Sequence, residues 1–282
     1  MSPEPAGTLV RVSHLPRSLA FYRDQLHCQV SWQEETAAQI IGPGDWRVLL
    51  AEAPRRDVTR YLTPVFSQPR PRGRLYFRGR DLPQVRKQWL ARGLQGILWE
   101  EQEWGSRSLS VPDPDGYLVT LLEDVGLPDA QMLEFYRSGP LRLEAALTDL
   151  GEADLDLVRE PGAWSIRQTV LHLVDAEATS LFPVNLALAE SGRVFQGTAY
   201  NPDLWAQRLA YAHRSIQAEV QLFRAMRAYV AGLLGHLPGA LDCTLRSSQG
   251  QETSVRTFIS ALTGHALGHI AQIWQTRRAH EK

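Results

Sequence analysis

The chain has 282 residues, with 30 Lys and Arg against 31 Asp and Glu and a formal net charge of -1. That balance gives no basic surface of the kind that neutralises nucleic-acid phosphates or an anionic bilayer, and no uncharged stretch in the sequence is long enough to span a membrane. The length suffices for two hydrophobic cores of about 100 to 200 residues each, and two distant cysteines, Cys28 and Cys243, make no disulfide framework and fit a reducing compartment. Residues 1–7 lack the basic start and apolar run of a secretory signal, so a cytoplasmic location is expected.

Over residues 8–123 the apolar pattern comes in short, strand-like runs with two helices between them. A strand at 9–12 leads to a helix at 15–26 and to strands at 28–34, 37–42 and 46–52. The order then recurs: a strand at 74–78, a helix at 82–92, and strands near 98, at 106–111 and at 117–123. His14-Leu15-Pro16 opens the first helix and Asp81-Leu82-Pro83 the second, with Pro where its missing N–H costs nothing. Two βαβββ modules are expected, joined by a connecting arm at 55–72 that is rich in Pro and Arg. Gly126, Pro128 and a potential cap at Asp129 mark a change to helical periodicity, giving domains at 1–125 and 129–282.

The paired modules, with Arg17-Ser18-Leu19-Ala20-Phe21-Tyr22-Arg23-Asp24, Trp104-Gly105-Ser106-Arg107 and Val111-Pro112-Asp113-Pro114-Asp115-Gly116-Tyr117, resemble the glyoxalase/bleomycin-resistance (vicinal oxygen chelate) superfamily. In Asp113 to Gly116, Pro fixes one φ and Gly can supply a positive one, which makes a tight turn on its own account. The resemblance implies metal ligands at about Gly7, Arg74 and Thr120. None is a good divalent ligand: Gly has no side chain, Arg is a permanent cation and a Thr hydroxyl is weak. The half therefore resembles the metal-free, ligand-binding branch of that superfamily. Trp32, Trp46, Tyr76, Trp99, Trp104 and Tyr117 could line a ligand cleft, or could equally be core.

Beyond Asp129 four helices are expected, at 129–149, 163–191, 202–236 and 254–280, which argues an all-α four-helix bundle after an α+β first domain. At about 100° per residue, Phe258, Leu262, His265, His269 and Ile273 share one stripe of the last helix, so two histidines sit on the face that should be buried. Imidazoles at i and i+4 can close on one divalent ion, and neutral nitrogen donors suit Zn or Ni. They could also be core histidines bonded to polar neighbours.

Trp164-Ser165-Ile166-Arg167-Gln168 leading to His172-Leu173-Val174-Asp175-Ala176-Glu177, together with Gly264-His265-Ala266-Leu267-Gly268-His269-Ile270-Ala271-Gln272-Ile273, is similar to the DinB/YfiT-like family. The resemblance implies a divalent metal held by His172, His265 and His269 with positions open to water or substrate. The helical wheel does not place His172: it lies about 120° from the stripe of Ile166, Val170, Leu173 and Leu181, on which Glu177 sits. Asp175 or Glu177 could orient a ligand imidazole or act as a base; alternatively, Asp175 is a solvated charge and Glu177 is paired with an Arg. Tyr200 or Trp205 could wall the pocket, while His213, His236 and His280 receive no role.

Two functions follow from these resemblances. The first is a metal-dependent enzyme of detoxification type, acting by hydrolysis or by transfer of a low-molecular-weight thiol co-substrate to a small electrophile. The second is a non-catalytic protein that sequesters a drug or toxin in the metal-free N-terminal cleft. Members of both families commonly dimerise, so a homodimer is expected.

Overall fold

The computed structural model describes residues 4–53, 57–69, 71–197 and 200–282. It divides into two compact units, Met1–Val125 and Gly126–Lys282. No helix among the described residues is long and apolar enough to cross a membrane.

In the first unit each module builds its own sheet. Strands β1 (Ala6–Val12), β2 (Gln29–Gln33), β3 (Ala37–Ile41) and β4 (Arg47–Glu52) stand in the order β2-β3-β4-β1, with β1 and β4 parallel. After β5 (Leu62–Ser67), the strands β6 (Arg74–Arg78), β7 (Leu98–Glu101), β8 (Ser106–Pro112) and β9 (Leu118–Asp124) repeat that topology as β6-β9-β8-β7, again with the first and last strands parallel. The recurrence read from the sequence is thus a structural duplication.

The helices are held alike in both copies. Helix α1 (Leu15–Ala20) continues into a π-helical turn, Phe21–Gln25, and α2 spans Leu82–Ala91. The orphan N–H groups at their starts go to a carboxylate at the end of the module's final strand, its last residue in the first module and its last but one in the second. Glu52 accepts from Leu15 N at 2.6 Å, and Glu123 accepts from Asp81 N and Leu82 N. The turn at Asp113 to Gly116 ties the modules together: Asp115 accepts from Ser13 and Ser18 of the first, and Asp113 accepts the buried Tyr22 hydroxyl at 2.9 Å. Gly116 takes the positive φ, 85°, that the turn needs. One apolar cluster runs through both modules, from Val10, Leu15 and Ile40 to Leu82, Leu109 and Val119. Cys28 lies inside it, where burial pushes its thiol up to about 12, and both cysteines are free.

The connecting arm expected at 55–72 is a correction in part. It contains a short 3-10 turn, Thr59–Tyr61, and β5, which pairs parallel to the free edge of β1. Val58, Tyr61 and Leu62 bury themselves against Leu9, Leu49 and Ala51 of the first sheet. Burial of apolar surface therefore orders a segment whose Pro content argued for a loop. Positions 55, 56 and 70 of that arm, and 1–3 of the N-terminal stretch, lie outside the described residues.

The second unit is a bundle of α3 (Asp129–Leu147), α4 (Ile166–Ala189), α6 (Gln217–His236) and α7 (Val255–Ala279). Each packs on two others, in the ring α3, α7, α4, α6. The helix expected at 202–236 is corrected: it is a short α5 (Pro202–Arg208), a 3-10 turn at Tyr211–His213 and then α6. The break centres on Ala210, whose φ of 53° is left-handed. It places Tyr211, fully buried, with its hydroxyl on Asp175, and lets the Arg214 carbonyl accept from Arg167. A small sheet of β10 (Arg193–Val194), β11 (Thr244–Arg246) and β12 (Glu252–Ser254), which the periodicity did not announce, closes one end.

Candidate metal centre

Two well-defined helix starts carry the three histidines. Ser165 caps α4 reciprocally: its Oγ accepts from Gln168 N at 3.2 Å and its N–H donates to Gln168 Oε1 at 3.0 Å. Ser254 caps α7 through Thr257 N. His172 therefore falls in the second turn of α4, and His265 and His269 fall one turn apart on α7, the helix packed against it. Ring centroids are 4.9 Å apart for His172 and His265, 5.0 Å for His172 and His269, and 4.6 Å for His265 and His269. One nitrogen from each ring lies within 4.8 Å of the others, the one such group of three or more potential ligands among the described residues.

Burial sets the electrostatics. It drives His172 down to about 3 and His269 to about 4, and holds His265 well below the usual histidine value, with mutual repulsion and Arg227 adding to the effect at His265. All three rings are therefore neutral near pH 7, with a lone pair available. His172 Nε2 and His265 Nε2 face each other at 3.0 Å, while His172 Nδ1 is buried with no hydrogen-bond partner. Nitrogens about 2.0–2.1 Å from one ion would stand about 3.3 Å apart, so the two facing nitrogens are already close to ligand spacing. A set of three neutral imidazoles without a carboxylate fits Zn or a neighbouring transition ion and does not fit Mg or Ca.

The carboxylates weighed as orienting groups or bases are otherwise engaged. Glu177 is buried, accepting the Tyr136 hydroxyl at 2.7 Å on one oxygen and Arg227 at 3.1 and 3.2 Å on the other. Both oxygens of Glu177 are thus engaged by Tyr136 and Arg227, which is the Arg-paired alternative weighed for it. Asp175 is half-buried and accepts the Tyr211 hydroxyl, and neither carboxylate reaches a nitrogen of His172.

Sequence reasoning missed Arg227. It is 1% exposed, donates also to the carbonyls of Tyr136 and Leu262, and stacks over Tyr136 and Phe223, so it ties all four bundle helices together. A Cβ on Gly139 would lie 2.4 Å from Arg227 Nη1, which is why that turn of α3 carries no side chain. An Arg on a helix face normally reads as solvated, so nothing in the chain flagged it except the need of Glu177 for a partner.

Aromatic groups flank the histidines. Trp164 lies edge-on to His172 at 4.8 Å and nearly parallel to His269 at 6.5 Å, and its indole N–H donates to Asp203 at 3.0 Å. Tyr200 lies 6.5 Å from His172 and leans on Trp205 at 4.3 Å, the rings tilted by 33°. The neighbourhood is apolar on this side, with the α5 segment joined to the start of α4 through the Trp164–Asp203 bond.

The six aromatic residues of the first unit are not gathered into one cleft. Tyr117 is core, Trp46 and Trp99 pack against the same cluster, and Trp32 packs in the smaller cluster against Tyr61 at 4.3 Å. Trp104 is half-buried in the turn before β8, and Tyr76 is 52% exposed. At the three positions that the N-terminal resemblance implied as metal ligands, Thr120 is buried and bonded to Ser110 at 2.9 Å, Arg74 lies 3.8 Å from Glu100, and Gly7 has no side chain.

Residues 136–273 match the family model of the DinB superfamily. A protein of Bacillus mycoides, named as a candidate metal-dependent hydrolase, is 27% identical over 139 residues, 49% of this chain and 79% of its own. YfiT from Bacillus subtilis, described as a probable metal-dependent hydrolase with an unusual four-helix bundle topology, is 19% identical with a TM-score of 0.49, covering 55% of this chain and 91% of its own. A bleomycin resistance determinant encoded on the transposon Tn5 is 21% identical with a TM-score of 0.32, covering 42% of this chain and 95% of its own.

Proposed function

We propose that the second unit is a metal-dependent hydrolase, holding one divalent cation through His172, His265 and His269 and acting on a small, uncharged electrophile. The observation that carries this is the convergence of three neutral imidazoles from two helices. A cation held by three such ligands keeps coordination positions open, and supplies Lewis acidity that can bring the pKa of water to about 7.

The protein's own groups do the rest. Burial keeps the imidazoles unprotonated, so no proton has to leave the rings for them to ligate. Trp164, Tyr200 and Trp205 give one side of the site an apolar wall, which limits water and favours an uncharged substrate over an anionic one. Arg167, the buried cation at the start of α4, is taken up by Asp156, Glu152 and the Arg214 carbonyl, so it offers nothing to a phosphate or carboxylate.

The hydrolase name shared by the relatives favours water over a thiol as the attacking group. The two are separated by one assay: Zn-loaded and chelator-treated protein, each given activated esters and a thiol with a generic electrophile. Metal-dependent ester cleavage without added thiol is the expected result. Turnover that requires the thiol would replace hydrolysis by thiol transfer, and ester cleavage that survives metal removal would sink the proposal. Sequestration in the first unit is the weaker reading, because Trp32, Trp46, Trp99 and Tyr117 are spent on packing.

A further inference from the structure

We propose that Gln272 is the positioning residue of the metal centre, fixing His269 in the tautomer whose Nε2 is free to ligate; the inference rests on the metal-centre reading above. His269 and Gln272 are three residues apart on α7, where side chains are neighbours. His269 Nδ1 lies 2.9 Å from Gln272 Oε1. An amide oxygen only accepts, so Nδ1 carries the proton and the lone pair is left on Nε2. The ring is held in orientation by the same bond. His172 has no such support, since its Nδ1 is buried without a partner and its Nε2 is turned toward His265. His269 is thus the ring whose orientation is set by a bond to a side chain outside the set of three.

The chemistry of the partner matters. A carboxylate hydrogen-bonded to a ligand imidazole raises its basicity and its donation to the ion. A neutral amide orients the ring without adding charge, which leaves the ion a stronger Lewis acid. The amide also has a second face: turned over, its NH2 would donate to Nδ1 and force the proton onto Nε2, where it blocks ligation. Glutamate lacks that face and leucine lacks both.

The test compares wild type with Gln272→Leu and Gln272→Glu, each chelator-treated and then titrated with Zn against a chromogenic chelator. Gln272→Leu should weaken Zn binding by about 10- to 100-fold with the melting temperature of the metal-free form unchanged, and Gln272→Glu should bind at least as tightly as wild type. A second readout needs no metal: imidazole 15N shifts of metal-free wild type should show His269 protonated at Nδ1, and Gln272→Leu should lose that preference. Wild-type affinity together with an unchanged tautomer in Gln272→Leu overturns the role of Gln272 while leaving the metal centre standing. An equal fall in affinity and in metal-free stability also overturns it, since Gln272 would then be packing. If wild type takes up no Zn although His269 is protonated at Nδ1, the metal-centre reading fails and this role fails with it.

Discussion

Burial without protonation makes the three histidines a source of acid sensitivity in the metal-free protein. An unfolded histidine takes up a proton below about pH 6.5, whereas the folded rings resist it down to about 4 for His269 and about 3 for His172. Because the folded values are depressed, the stability is fully present above about pH 6.5 and is lost progressively as the pH falls through the window between the unfolded and folded values. Of the groups facing the rings, Arg227 adds positive charge beside His265 and reinforces this, while the Gln272 hydrogen bond pulls His269 part of the way back up; Trp164 is neutral and Asp175 is bonded to Tyr211. Melting temperatures of chelator-treated protein should therefore fall between about pH 7 and pH 5, and the fall should be shallower in His269→Ala. Parallel curves for the two proteins would remove the histidines as the cause.

At the scale of elements, the centre is as legible as the packing around each helix is simple. Helix α7 buries one stripe through Val255, Ile259, Leu262, Ala266, Ile270 and Ile273, and His265 and His269 sit half-buried at its edge rather than in the middle where periodicity expected them. Helix α4 defeats the same rule because its N-terminal half is covered nearly all round: Arg167 and every residue from Thr169 to Val174 are buried, under α6, α7, α5 and the turns at Asp154–Asp156 and Tyr211–His213. A residue 120° off the apolar stripe can then be as buried as one on it, and His172 could be placed only by resemblance. The break between α5 and α6 was illegible for the opposite reason. No Gly or Pro marks it, and it exists because Tyr211 finds a buried place and a carboxylate. Ala210 gives a sharp test. In a continuous helix Ala210→Gly would cost about 1 kcal/mol, whereas at its left-handed φ it should be neutral or stabilise by up to about 1 kcal/mol. Urea denaturation decides between them, and a clear loss of stability would contradict the break.

On the scale of the whole molecule, two units with different chemistry share one chain. The first unit repeats a βαβββ module and spends most of its aromatic residues and the carboxylates Glu52, Glu123, Asp113 and Asp115 on holding that duplication together. Its topology was legible because the same punctuation recurs in each half, while β5 was hidden in a Pro- and Arg-rich arm. The second unit converges three histidines and seals the bundle beneath with the Arg227 network. Under the function proposed above, the chemistry belongs to the second unit and one binding event per chain is expected. Metal content after Zn loading and exhaustive buffer exchange tests this most directly: the 282-residue chain should retain about one ion per chain, and His172→Ala, His265→Ala and His269→Ala should each lose it. Retention of the ion in all three folded variants, or no ion in the wild type, would contradict the account.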